Sequence, residues 1–261
     1  MNSVLFKLSF FCLFIFPSAL IFSDEENFVL VNGRTNKIMV ELGAHTNERI
    51  TPCSTFKIPL SLIGYDTKIL ENKNNPIWDF KEGYDDYLDS WKTSQTPESW
   101  MKNSCVWYSR ILTQQLGLKR LQDYLSFLRY GNQDLSGGLT TAWLSSSLKI
   151  SPHEQVIFLQ NMIQEKLSIS KKAIQITKSL LFIDELMDGW QLFGKTGMGS
   201  IKNVDGNNLE IGWFIGWLQK NNTFYVFAYN VRNTTINPAK RIPRVRAVSY
   251  THLTLPTSDL V

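Results

Sequence analysis

A chain of 261 residues, 43% hydrophobic and 13% aromatic, carries enough apolar side chains for one large core or two intimately packed lobes. Its formal charge of +4 comes from scattered basic residues with no Lys/Arg run, which gives no case for nucleic-acid binding and only a weak bias toward anionic ligands. His45, His153 and His252 show no metal-ligand spacing, so a metal centre is not expected.

In chain order, the first 23 residues combine one lysine with an apolar run broken at Pro17 and Ser18. This pattern predicts a secretory signal peptide cleaved after Ser23, leaving a mature domain over 24–246 in the periplasm or outside the cell. No second apolar stretch is long enough to span a bilayer, so no lasting membrane anchor is expected. Cys12 leaves with the signal, and Cys53 and Cys105 are expected either to pair or to stay as buried thiols. "NFVLVN" and "KIMVEL" flank the turn-rich "GRTN" and predict an opening β-hairpin.

From Ser54 to about Glu185 the apolar spacing is mainly three to four, with helices expected in "SLIGYDTKIL", "CVWYSRILTQQLG", "LKRLQDYLSFLRYG" and "SPHEQVIFLQNMIQEKL". Gly117 and Gly131 are expected stops, and Ser151-Pro152 with Glu154 a helix start. The period then changes. "LEIGWFIGWLQ" and "TFYVFAYNV" are strand-like and joined by "KNN", a second hairpin. Strands at both ends with helices between predict an α+β fold, its sheet lobe from about 24–50 and 190–246 and its helical lobe from about 54–185. The last stretch, "AVSYTHLTLPTSDLV", breaks the rhythm and resembles a translated read-through, so 247–261 is set apart as non-native and the natural last helix is expected to be missing.

Four short motifs carry chemistry. Serine followed three residues later by lysine occurs four times, so spacing alone selects nothing. The copy Ser54/Lys57 differs because Ile58, Leu60, Leu62 and Ile63 follow it. On a helix the two side chains share one face, and apolar surroundings make a lysine easier to deprotonate. Ser104 and Val106 lie in "NSCVWYS", Tyr130 opens "YGN", and Lys195, Thr196 and Gly197 form "KTG" before the aromatic strands.

This order, S-T-F-K, S-x-V, Y-G-N and K-T-G, resembles the class D serine β-lactamases, and the likeness continues through "YGNQDLSGGLTTAWLSSSLKISPHEQ" and "IGWFIGWLQKNNTFYVFAYN". The resemblance implies a β-lactamase/transpeptidase-like fold and hydrolysis of β-lactam antibiotics through an acyl-enzyme on Ser54. It implies that Lys57, carboxylated on its amine by carbon dioxide, is the base, with no other cofactor. It makes Trp143 the indole that holds the carbamate, Val106 an apolar wall and Ser104 a proton relay to the leaving nitrogen. Tyr130 would close the site. Lys195, Thr196 and Gly197 would meet the substrate, with Arg241 binding its carboxylate and the N–H groups of Ser54 and Met198 meeting the oxyanion. The expected partner is the small-molecule substrate, with the protein a monomer or homodimer. Two alternatives share the fold: a peptidoglycan transpeptidase or carboxypeptidase, for which an asparagine is expected where Val106 stands, and a β-lactam sensor acylated without turnover.

Overall fold

The computed structural model describes residues 26–202 and 205–233, and beyond them 235–237, 239, 242 and 245. The signal segment, the C-terminal tail and Arg241 all lie outside the described residues. The frame is a six-stranded antiparallel sheet in the order β2-β1-β6-β5-β4-β3. Its strands are β1 (Glu26–Asn32), β2 (Ile38–Leu42), β3 (Phe182–Glu185), β4 (Gln191–Lys202), β5 (Asn208–Lys220) and β6 (Thr223–Asn233). β1 pairs with β6 from Glu26↔Val231 to Asn32↔Tyr225, so the two ends of the domain share one sheet, as the α+β reading requires.

β5 has both faces covered, which explains its near-continuous apolar run. Ile211, Trp213, Ile215 and Trp217 face the core shared with the helices. Phe214 and Leu218 belong to a second cluster with Phe28, Leu30, Leu192 and Phe227. The helices are α1 (Lys57–Asp66), α2 (Pro97–Asn103), α3 (Val106–Leu116), α4 (Leu118–Leu128), α5 (Pro152–Ile163) and α6 (Lys171–Leu180). Nine consecutive residues of α1, Lys57 to Tyr65, are buried, so this helix is packed all round instead of showing an amphipathic stripe. Ser61 of α1 meets Thr177 of α6 at 2.8 Å in that interior.

Several boundaries differ from expectation. Ser54 does not start an α-helix: it sits in a 3-10 turn, Cys53–Phe56, and the α-helix begins at Lys57. The cause is local, since Cys53 adopts φ +51 and turns the chain immediately before the serine. α1 stops at Asp66, with Thr67 folding its hydroxyl back onto Ile63 O at 2.7 Å, so "TKIL" is not helical. β3 falls inside the segment assigned to helices; it is short and pairs only with the start of β4, too little for a period-two signal. α4 ends at Leu128 with Arg129 at φ +50, before Gly131. The expected starts and stops at Ser151 and Gly117 are present, Ser151 and Glu154 forming a reciprocal capping box. Among the described residues no helix is long and apolar enough to cross a membrane.

Candidate active site

Ser54 stands on a short turn clamped from three directions. The loop before α5 holds it from one side: Cys53 N–H donates to Trp143 O at 3.1 Å, Thr51 Oγ1 donates to the same carbonyl at 2.8 Å, and Ser145 N–H donates back to Thr51 Oγ1 at 3.0 Å. From the sheet, Trp213 Nε1 of β5 donates to Thr51 O at 2.9 Å. Beneath, Gln155 Nε2 of α5 donates to Thr55 Oγ1 at 3.0 Å, and that hydroxyl donates to Pro52 O at 2.6 Å. Thr51, Thr55, Ser145 and Gln155 were not singled out from the sequence. They carry no reactive signature, and only their tertiary contacts give them a role.

The left-handed backbone at Cys53 (φ +51), Ser104 (φ +57) and Ser145 (φ +53) is costly for residues with a Cβ and clusters around this turn. It aims Ser54, half-buried, into the cleft while its neighbours Cys53 and Thr55 point into the core.

Lys57 is the first residue of α1 and only 1% exposed. Its Nζ lies 3.4 Å from Ser54 Oγ. Burial lowers its pKa from 10.5 to about 8, partly opposed by the nearby Cys105 and Cys53 thiols. The amine is therefore neutral in an appreciable fraction of molecules at neutral pH, unlike a surface lysine. Both cysteines are buried thiols rather than a disulfide, and burial pushes Cys105 up to about 11, which removes it as a competing nucleophile.

Trp143 is 1% exposed and stacks on Phe56 with ring centroids 5.1 Å apart. Phe56 immediately precedes Lys57 in the chain, so this stack sits at the start of α1. Trp91, Trp100, Trp107 and Trp213 each spend their indole N–H on a protein acceptor at 2.8–2.9 Å. For Trp143 no such acceptor is present among the described residues.

Ser104 closes α2 at φ +57, and Cys105 separates it from Val106, the first residue of α3. Ser104 is thus a helix C-cap and not the N-cap that its position before an apolar helix suggests. The left-handed turn presents its hydroxyl to β4, where Lys195 Nζ makes a very short hydrogen bond to Ser104 Oγ and a second to Thr196 O at 3.2 Å. Val106 is partly buried against the core.

β4 explains why lysine, threonine and glycine stand together. Its register with β5 runs without a shift from Gln191↔Gln219 to Lys202↔Asn208. Gly194 N–H donates to Leu181 O at 2.8 Å, away from β5. Strand alternation then turns the N–H groups of Thr196 and Met198 toward the same open edge. The side chains of Lys195 and the position of Gly197 face the nucleophile turn. A Cβ added at Gly197 would lie 3.0 Å from Pro52 O, 3.2 Å from Thr55 Cγ2 and 3.3 Å from Ser54 N. A Cβ here would sit tighter than an ordinary contact, so glycine lets the strand come this close without the turn giving way. Gly197→Ala is expected to push the strand and turn apart by a few tenths of an ångström and to lower kcat/KM roughly ten- to a hundredfold, with little change in melting temperature. Paired kinetics and thermal melts check this; unchanged kinetics would show that the close approach is unimportant.

Tyr130 is not brought to the cleft. It is fully buried, tilted against Phe56 at 5.8 Å and edge-on to Phe158 at 5.2 Å, and burial drives its phenol far above the ordinary tyrosine range. It therefore does not line the cleft as a substrate contact or close it from the open side, and its place is in the packing under the nucleophile turn. Met198 has its side chain 45% exposed at the cleft rim. Among the described residues no group of His, Cys, Asp and Glu could hold a metal ion.

Comparison with known proteins agrees with this geometry. Residues 24–248 match the family model "Penicillin binding protein transpeptidase domain". Beta-lactamase OXA-9 of Klebsiella pneumoniae is 36% identical over 210 residues, covering 77% of this chain and 76% of that protein. Beta-lactamase OXA-1 of Escherichia coli is 38% identical over 219 residues, covering 80% and 77%. The crystal structure of OXA-427 class D β-lactamase superposes with a TM-score of 0.82 at 38% identity, covering 87% of this chain and 98% of that one. The chain belongs to the class D β-lactamases.

In this class D β-lactamase the residues of the four motifs, Tyr130 apart, are gathered around one cleft. Ser54 is a half-exposed hydroxyl with an amine of lowered basicity beside it. Lys195 of β4 is hydrogen-bonded to Ser104 at the end of α2, and the open edge of β4 carries backbone N–H groups close to the Ser54 turn. Among the described residues the histidines are engaged elsewhere: His45 pairs with Glu48 and His153 with Glu41.

Proposed function

We propose that this protein hydrolyses β-lactam antibiotics through a covalent acyl-enzyme on Ser54, with Lys57 carboxylated on its amine acting as general base. The observation that carries this reading is the burial of Lys57, 1% exposed, with its amine 3.4 Å from Ser54 Oγ. A neutral amine can add carbon dioxide, releasing a proton and leaving an anionic carbamate. The unused indole N–H of Trp143 and the apolar wall with Val106 suit such an anion.

Ser54 Oγ attacks the lactam carbonyl while its proton passes to the base, and the backbone N–H groups of Ser54 and Met198 stabilise the oxyanion. The lactam C–N bond breaks, and the nitrogen takes a proton through Ser104, which Lys195 holds in place. Water, activated by the same base, then attacks the ester carbonyl and frees Ser54. Lys195 and Thr196 anchor the substrate carboxylate, and Arg241 adds a bidentate contact. Besides the hydrolytic water, carbon dioxide or bicarbonate is the one co-reactant the carbamate requires, and the N-terminal 23 residues direct export to the periplasm or exterior.

The experiment is turnover of a chromogenic cephalosporin by the purified protein in bicarbonate-depleted buffer, with and without added bicarbonate. Sustained turnover that rises with bicarbonate is expected. Stoichiometric acylation that stops after one equivalent would instead identify a sensor, and bicarbonate-independent turnover would remove the carbamate.

A further inference from the structure

One cavity of about 810 Å³ continues from the catalytic wall without including Ser54 or Trp143. It shares Lys195 and Thr196 with the site and runs outward between α2, the end of α6 and β3. Its lining is divided by chemistry. Met101, 2% exposed, and the half-buried Leu180 supply apolar surface, and Phe182, 49% exposed, stands at one side with its ring edge-on to Phe193 at 5.5 Å. Lys102 is exposed and forms no ion pair among the described residues. The one acidic residue of the lining, Glu98, is turned to Lys73 at 3.4 Å, so Lys102 keeps its charge for a ligand.

We propose that this cleft is the subsite for the substituent next to the ring carboxylate of the β-lactam, and that it favours an extended aromatic group bearing negative charge. The proposal rests on the reading of Lys195 and Thr196 as the carboxylate anchor. In a cephalosporin the carboxylate and this substituent are on neighbouring ring atoms. A carboxylate held at Lys195 and Thr196 therefore directs the substituent into the space that begins at those residues. The acylamino group, attached at the far side of the lactam ring, points elsewhere. An aromatic ring over Met101 and beside Phe182 buries apolar surface, and a carboxylate on that ring reaches the Lys102 ammonium at the mouth.

The test uses two cephalosporins with the same acylamino group, one with a methyl beside the ring carboxylate and one with a carboxylated heteroaryl thioether there, plus a simple penicillin. The full chain, Phe182→Ala and Lys102→Glu are compared by kcat/KM and by the rate of Ser54 acylation read from intact mass. In the unaltered protein the thioether is expected to be preferred. Each variant should reduce that preference roughly tenfold, leaving the methyl compound and the penicillin within about twofold. Raising salt should lower the preference of the unaltered protein toward the part owed to apolar burial, with no such fall in Lys102→Glu. An unchanged ratio in both variants, or an equal fall for all three substrates, overturns the subsite while leaving the hydrolase intact. Acylation without turnover removes the hydrolytic reading yet still reports the preference, and absence of acylation by any of them overturns both.

Discussion

Lys57→Ala is expected to lower kcat for any β-lactam by at least ~10²–10⁴-fold, the range attributed to a positioned general base. Ser54 Oγ is a weak nucleophile with no histidine beside it among the described residues, and there the amine at 3.4 Å is the basic group in contact with it. Truncation to alanine also opens a cavity at the start of a fully buried helix, so Lys57→Met, which keeps most of the volume, is the informative companion. Both variants should lose the same activity although they differ in stability. The defect should lie in kcat and in deacylation, because neither change touches Lys195 or Thr196, and added bicarbonate should rescue neither. Single-turnover mass spectrometry separates acylation from deacylation; a variant retaining a tenth of normal turnover would show that another group serves as base.

The same burial that makes Lys57 reactive costs stability, with a sign that can be worked out. The folded-state value lies at about 8 against the ordinary 10.5, so the unfolded chain binds a proton that the native protein resists. The penalty is fully present below about pH 8 and disappears as pH rises from there to 10.5. At ~1.4 kcal/mol per pH unit it amounts to about 3 kcal/mol. In bicarbonate-free buffer Lys57→Met should therefore be more stable than the unaltered protein by up to this amount at pH 7. The two denaturation curves should converge as pH approaches 10.5. Bicarbonate should raise the stability of the unaltered protein alone, because carboxylation removes the ammonium. Parallel curves at all pH values, or an equal bicarbonate effect on both proteins, would contradict this account of the site.

Much of this arrangement was legible along the chain. Period-two and period-3.6 patterns placed the terminal strands and the helices α3, α4 and α5, because each depends on which face meets a core. The motifs placed Ser54, Lys57, Ser104 and Lys195, because chemistry restricts which residue types can stand there. Of the four serine–lysine pairs only Ser54/Lys57 is followed by an apolar run and accompanied by the other motifs, and the structure puts its serine on a 3-10 turn and its lysine at the start of an interior helix.

What the sequence determined by itself was therefore the inventory: an α+β domain with a serine, a lysine that gives up its proton more easily than a surface one, and a glycine in a strand that must approach something. What only the tertiary structure decided was how these are held. The left-handed turn at Cys53, the Trp143 and Trp213 clamps on Pro52's neighbours, the retreat of Tyr130 into the core and the cleft beside Lys195 all join residues far apart in the chain. Local propensity senses only the nearest few residues, whereas burial, and with it the lowered basicity of Lys57, exists only once α1 is enclosed on every side.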